Sequence, residues 1–260
     1  MRFPQLISER AVDTVRVAAR EHVFAAMLGI PRLLRHRVWT AVDPYQGGGT
    51  GVLLVPGFGA HDHSLALTST WLRVRGFVPT GAHVGFTVGC TTDLVDRIER
   101  KLEEHVEATG GPVVLIGQSR GGMLARLAAV RRPDLVRGLI TLGSPLVEPL
   151  KAQHDVLAVA RFLGRLSALG VPGLMDADCF AGDCFRENFA ALSAPLEVPA
   201  VSVYSKNDGI VPWRCSLDPH AEHVEVRSTH TGMGFDPSVY TELGRRLGEW
   251  SSADTLAPAC

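Results

Sequence analysis

The stretch Gly117-Gln118-Ser119-Arg120-Gly121-Gly122 decides the fold, because of what stands on either side of it. Before it runs Pro112-Val113-Val114-Leu115-Ile116, apolar and β-branched, which predicts a strand. After it, Met123-Leu124-Ala125-Arg126-Leu127-Ala128-Ala129-Val130 predicts a helix. A serine between two glycines at a strand-to-helix junction reads as a nucleophile elbow. The small residues at 117 and 121 let the chain reverse sharply, so Ser119 stands proud of the sheet on strained backbone. Gly-x-Ser-x-Gly recurs by chance in many loops; the strand before it and the helix after it are what make Ser119 the candidate nucleophile.

Working outward, Gly51-Val52-Leu53-Leu54-Val55 is the first clear strand, and its continuous apolar character predicts burial on both faces. Helical pattern follows at about 64–75 and 91–109, with a shorter strand near Phe77–Val84 between them. Beyond the elbow come a strand at Val136–Leu142, a helical and irregular segment over Leu146–Pro195, strands at Val198–Tyr204 and His223–Val226, and a helix at about 237–250. Alternation of this kind predicts an α/β fold, a mostly parallel sheet with helices on both faces and its ligand at the carboxyl ends of the strands. The chain divides into an N-terminal helical extension (1–45, with an amphipathic helix over Ser8–Gly29), a main domain (46–250) and a flexible tail (251–260).

The 260 residues, 46% hydrophobic and 20% charged, suffice for one large domain. Net charge is −1 and neither sign forms a long run, which argues against nucleic acid as a partner. Apolar stretches are interrupted too early to span a bilayer, and no secretory signal is apparent; a cytoplasmic protein is expected. Five cysteines, an odd number, fit a reducing compartment. Cys179 and Cys184 stand close together among Asp176, Asp178 and Asp183. They read as two half-buried thiols in a connecting segment, ahead of a local disulfide, and no metal site is expected there.

A serine hydroxyl needs a base to take its proton, and the base needs an acid to hold its tautomer. Asp208, in Ser205-Lys206-Asn207-Asp208-Gly209-Ile210-Val211-Pro212, falls just past one strand's carboxyl end. His230, in Ser228-Thr229-His230-Thr231-Gly232-Met233, falls in the corresponding place one strand later. His220 follows Asp218-Pro219 in a turn and His223 begins a strand, so both read as surface histidines. Two backbone amides are candidates for holding an oxyanion. One is that of Arg120, directly after the serine; the other is that of Phe58, in Pro56-Gly57-Phe58-Gly59 after the first strand. His61-Asp62-His63 invites a metal reading, but three adjacent residues rarely face one ion, and a polar loop or helix cap at Ser64 is expected instead.

These motifs resemble those of the α/β-hydrolase superfamily, and within it the bacterial lipase and esterase branch. The likeness covers roughly residues 50–248 and rests on the elbow, the Asp208-Gly209-Ile210-Val211-Pro212 segment and the His230 segment, with serine, acid and histidine in that superfamily's order. It implies hydrolysis of a small-molecule carboxylic ester, without cofactor or metal, by Ser119, Asp208 and His230. An acyltransferase using the same triad, or a ligand-binding protein that keeps the fold, would carry the same motifs. The chain departs from the branch in two places: Pro56-Gly57 replaces a His-Gly pair, and Arg120 replaces an apolar residue, which predicts a cation beside or across the acyl site. Finally, residues 146–195 are expected to form a small helical cap over the nucleophile. Its stripe of Val156, Leu157, Ala160, Leu163, Leu166 and Leu169, with Phe162, Phe180 and Phe185, would either dock on the sheet or roof the pocket and face the substrate; in the second case Leu163 and Phe180 are the named acyl contacts.

Overall fold

In the computed structural model, which describes residues 25–147, 167 and 173–252, the apolar runs assemble into one sheet. Its strands are β1 (Gly51–Val55), β2 (Val78–Gly81), β3 (Val113–Gln118), β4 (Val136–Leu142), β5 (Ala200–Ser205) and β6 (Glu222–Val226). They lie in the order β2-β1-β3-β4-β5-β6, and every neighbouring pair is parallel. Parallel strands need crossover connections, and the first four are supplied by α1 (Ala66–Arg73), α2 (Thr91–Thr109), α3 (Arg120–Arg131) and α4 (Asp183–Leu192), the fifth by a loop with a helical turn at Trp213–Ser216; α5 (Pro237–Ser252) follows the last strand. Two boundaries differ from the sequence reading. β2 is confined to four residues at the sheet's edge, where Pro79, which has no N–H to donate, is tolerated. β5 begins only after Pro199, for the same lack of a donor.

The central strands are mostly apolar because both faces are covered. Leu53, Val55, Leu115 and Leu139 pack with Leu94, Ile98, Leu102, Leu124 and Leu127, from α2 and α3. The alternate residues Val52, Leu54, Ile116 and Ile140 pack on the other face with Leu33, Trp71, Leu72, Tyr240 and Leu247. That second layer is made by a helix over 25–35, by α1 and by α5. Two of its large side chains have paired polar atoms: Trp71 Nε1 donates to the Val38 carbonyl at 2.8 Å, and the Tyr240 hydroxyl donates to the Gly234 carbonyl at 3.0 Å. A buried ion pair ties α3 to the segment leading into β6. Arg126, with no exposed side-chain surface, donates through Nε and through Nη2 (3.2 Å) to Asp218, and Nη2 also reaches the Ala194 carbonyl at 2.9 Å.

Of the expected N-terminal extension, residues 1–24 lie outside the described residues, and so does most of the expected cap. Val156, Leu157, Ala160, Phe162, Leu163, Leu166 and Leu169 are among those not described. The described end of that segment forms a helical turn at Asp178–Ala181, with Phe180 half-buried, and then α4. Leu192 of α4 joins the core beside α3, while Phe185 and Phe189 stack on each other at 5.7 Å. No described helix is long and apolar enough to cross a membrane.

Strand order sets where a site can form. The chain passes from β1 outward to β2 and then returns to β3 on β1's other side, which opens a crevice at the carboxyl ends of β1 and β3. The loop Pro56-Gly57-Phe58-Gly59 and Ser119 occupy those two ends.

Candidate active site

Ser119 caps α3 with φ 53° and ψ −126°, a left-handed conformation that an L-residue adopts only under constraint. Two glycines impose it. A Cβ on Gly117 would stand 2.5 Å from the Gly121 carbonyl oxygen and the Gly122 Cα, and a Cβ on Gly121 would run into the carbonyl oxygens of Val55 and Pro56. All of these obstacles are backbone, so nothing can yield cheaply. The Ser119 amide donates to the Leu142 carbonyl at 2.8 Å, which fixes the elbow to the end of β4.

Asp208 and His230 come together at the carboxyl ends of β5 and β6. His230 Nδ1 lies 2.7 Å from Asp208 Oδ2, with the two side chains 7% and 2% exposed. Asp208's other oxygen, Oδ1, accepts the amides of Ile210 (2.9 Å) and Val211 (2.8 Å), so the turn that begins at the aspartate also orients it. With Oδ1 occupied by two amides, Oδ2 is the oxygen that faces His230 Nδ1, and Nε2 is the ring nitrogen turned away from the carboxylate. The histidine loop is anchored from below by Met233, which is fully buried, and from the side by Gln118, whose amide nitrogen reaches the His230 carbonyl at 3.4 Å. Among the described residues no other histidine touches Asp208: His223 Nε2 instead bonds the Asp218 carbonyl at 2.7 Å, and His220 is exposed.

The sequence reading missed Gly143. It follows β4 with φ 56°, and a Cβ there would stand 3.0 Å from Asp208 Oδ2 and 3.3 Å from His230 Nδ1. A side chain at 143 would press on the acid–histidine pair. The glycine ending the Leu142-Gly143-Ser144-Pro145 turn was the available signal.

The Phe58 and Arg120 amides donate to no backbone or side-chain acceptor among the described residues. Gly57 lies against the elbow, since a Cβ on it would sit 3.3 Å from the Ser119 Cβ. The Arg120 side chain turns inward beside the Phe58 loop, where Nη1 donates to the Thr87 carbonyl (2.6 Å) and Nη2 to the Gly89 carbonyl (2.8 Å) and the Thr91 hydroxyl (3.3 Å). Burial lowers its pKa to about 10. The Thr87 hydroxyl in turn donates to the Gly57 carbonyl, and the guanidinium carbon stands 5.8 Å from the centre of the Phe58 ring.

Residues 61–63 do not converge on an ion. Asp62 accepts the His83 amide at 3.2 Å, His61 and His63 stack at 5.2 Å, and His61 precedes a helical turn at Asp62–Leu65 without a side-chain cap bond. Among the described residues, the ligand atoms that do converge are the sulfurs of Cys90, Cys179 and Cys184.

Comparison with known proteins agrees with this architecture. Residues 52–257 match the model of the Alpha/beta hydrolase family. A human (Lyso)-N-acylphosphatidylethanolamine lipase is 30% identical over 182 residues, 60% of this chain; the match spans about half (52%) of that relative's length. The monoacylglycerol lipase of Paleococcus ferrophilus superposes with a TM-score of 0.55 at 21% identity, covering 79% of this chain and 96% of that one. A Bacillus licheniformis lipase gives 0.56 at 15%, covering 77% and 92%. With a family match over most of its length and the parallel sheet, crossovers and elbow in place, the chain belongs to the alpha/beta hydrolase family.

Proposed function

We propose that this protein cleaves carboxylic esters through an acyl-enzyme on Ser119. His230 Nε2 takes the Ser119 proton as Oγ attacks the ester carbonyl, and returns it to the departing alcohol. Asp208 holds the hydrogen on Nδ1 and balances the imidazolium that forms. The amides of Phe58 and Arg120 receive the negative charge on the carbonyl oxygen, each preorganised donor contributing about 10²- to 10³-fold. Water, activated by the same histidine, then releases the acid and frees Ser119.

The observation that carries this reading is the buried 2.7 Å contact between His230 Nδ1 and Asp208 Oδ2, on loops that follow neighbouring strands of the sheet that ends in the strained Ser119. Support for esters as substrates comes from relatives that are named lipases. The test is a panel of p-nitrophenyl esters graded by acyl length, run on wild type and Ser119→Ala. Loss of about 10⁴- to 10⁶-fold in kcat is expected in the variant, with its circular dichroism unchanged. A Ser119→Ala protein that keeps more than a few per cent of the activity would refute the assignment.

A further inference from the structure

We propose that Cys90, Cys179 and Cys184 form a zinc site that fastens the segment leading into α4 to the N-terminus of α2. The three thiols come from separate places: Cys90 caps α2, Cys179 lies in the turn Asp178–Ala181, and Cys184 lies in the first turn of α4. Cys90 Sγ stands 3.6 Å from Cys184 Sγ, which stands 3.9 Å from Cys179 Sγ, and all three sulfurs lie within 4.8 Å of one another. Sulfurs at two corners of a zinc tetrahedron, each about 2.3 Å from the metal, are about 3.8 Å apart. The observed spacing is that of ligands sharing one ion.

The surroundings fit the same occupant. The Asp178 carboxylate accepts the amides of Asp183 (2.8 Å) and Cys184 (3.1 Å), closing the loop so that Cys179 and Cys184 turn to the same side. Asn188 commits its amide nitrogen to the Thr92 hydroxyl oxygen (3.0 Å) and the Cys184 carbonyl (2.7 Å). The Thr92 hydroxyl hydrogen is thereby left for Cys184 Sγ, 3.4 Å away. A donor aimed at sulfur suits a thiolate.

Charge favours a divalent metal. Arg120 is a buried cation whose bonds run only to carbonyls and a hydroxyl, two of them on the residues either side of Cys90, with no carboxylate partner among the described residues. Buried charge is costly unless opposed. When Zn²⁺ binds, each thiol gives up its proton; three thiolates and one Zn²⁺ then carry a net charge of −1, which cancels the guanidinium. A monovalent soft ion such as Cu⁺ would leave −2. With three protein ligands, the fourth position of the tetrahedron falls to water. The inference does not depend on the role given to Ser119.

The test uses the full-length protein, purified under reducing conditions, loaded with zinc and freed of loose metal by gel filtration. Elemental analysis should find about one zinc per wild-type chain and per Cys260→Ser chain, and less than about a tenth of that in Cys90→Ser and Cys184→Ser. Exchange of Co²⁺ into wild type should produce the near-ultraviolet charge-transfer band of cobalt thiolates, a readout that holds even if a cysteine variant fails to fold. Reduced wild-type protein that retains no zinc and shows no such band would overturn the proposal. So would zinc content unchanged in both cysteine variants. A zinc-free chain whose peptide map shows a Cys90–Cys184 disulfide would also overturn it, and would make the cluster a redox pair instead.

Discussion

Replacing Asp208 by asparagine changes one atom and, by the geometry of the site, should reverse the histidine. The asparagine has one oxygen and one NH₂ to place where the aspartate had two acceptors. If NH₂ took the Oδ1 position it would face the amides of Ile210 and Val211, losing bonds of 2.9 and 2.8 Å and leaving two donors unpaired. Unpaired buried donors cost about 1–3 kcal/mol each. If NH₂ takes the Oδ2 position, a single bond of 2.7 Å is at issue, and it is recovered when His230 moves its hydrogen from Nδ1 to Nε2. The second arrangement wins, and in it Nε2 carries a hydrogen and cannot accept the one on Ser119. A wrong tautomer of this kind costs about 10⁴-fold in a serine–histidine–aspartate system, which corresponds to about 5.4 kcal/mol of transition-state stabilisation. The assay is kcat/KM on a chromogenic ester, with thermal denaturation to show that the fold is intact and ¹⁵N NMR of the His230 ring to locate its hydrogen. An Asp208→Asn enzyme within tenfold of wild type, or one whose hydrogen remains on Nδ1, would refute the reasoning.

Two further outcomes follow from packing and burial. Gly121→Ala drives a Cβ into the carbonyl oxygens of Val55 and Pro56, while Gly209→Ala meets nothing within 4 Å. Chemical denaturation should show the first losing about 1–3 kcal/mol or more and the second nearly unchanged; equal effects would contradict the close approach of the elbow to β1. His105 is buried with Nε2 2.8 Å from the Val78 carbonyl, and burial holds its pKa below the ordinary imidazole value. The unfolded chain is therefore first to bind a proton as pH falls. The stability tied to His105 is complete above about pH 6.5 and is lost below it, toward the lowered folded value. Urea midpoints measured from about pH 7.5 to 5 should fall less steeply in His105→Gln than in wild type, and parallel curves would exclude this residue as a source of the slope.

The parts of this molecule that could be read in the sequence are those whose cause is local. β1 and the first four residues of β3 are buried continuous apolar runs with little else they could be, and β4 is mostly apolar, interrupted by Arg137 and Thr141. The elbow was legible because the glycines at 117 and 121 answer to a backbone approach within a few residues of Ser119 and at the end of β1. Asp208 and His230 could be placed because each follows a strand. What was not legible depends on partners distant in the chain. Cys90 joins Cys184 across 94 residues, and nothing near either one announces the other. The direction of the Arg120 side chain is set by carbonyls around residue 89, so its identity as a cation left open whether its charge lay beside the site or across it. Gly143 acquires its meaning only when the acid and histidine close over it.

Arg120 joins two parts of the site that are usually thought of separately. Its amide is one of the two candidate oxyanion donors, and its guanidinium grips the carbonyl of Thr87, the residue whose hydroxyl holds the Gly57 carbonyl next to the other donor, Phe58. The spacing between those donors is thus gauged by a single side chain, acting like a spacer bar between two jaws. A shorter or uncharged residue at 120 would leave its own amide where the elbow puts it and release the opposite jaw. Any attempt to reshape this pocket by exchanging the residue after Ser119 for an apolar one would then have to be made together with residues 87–91, since they form one adjustable part.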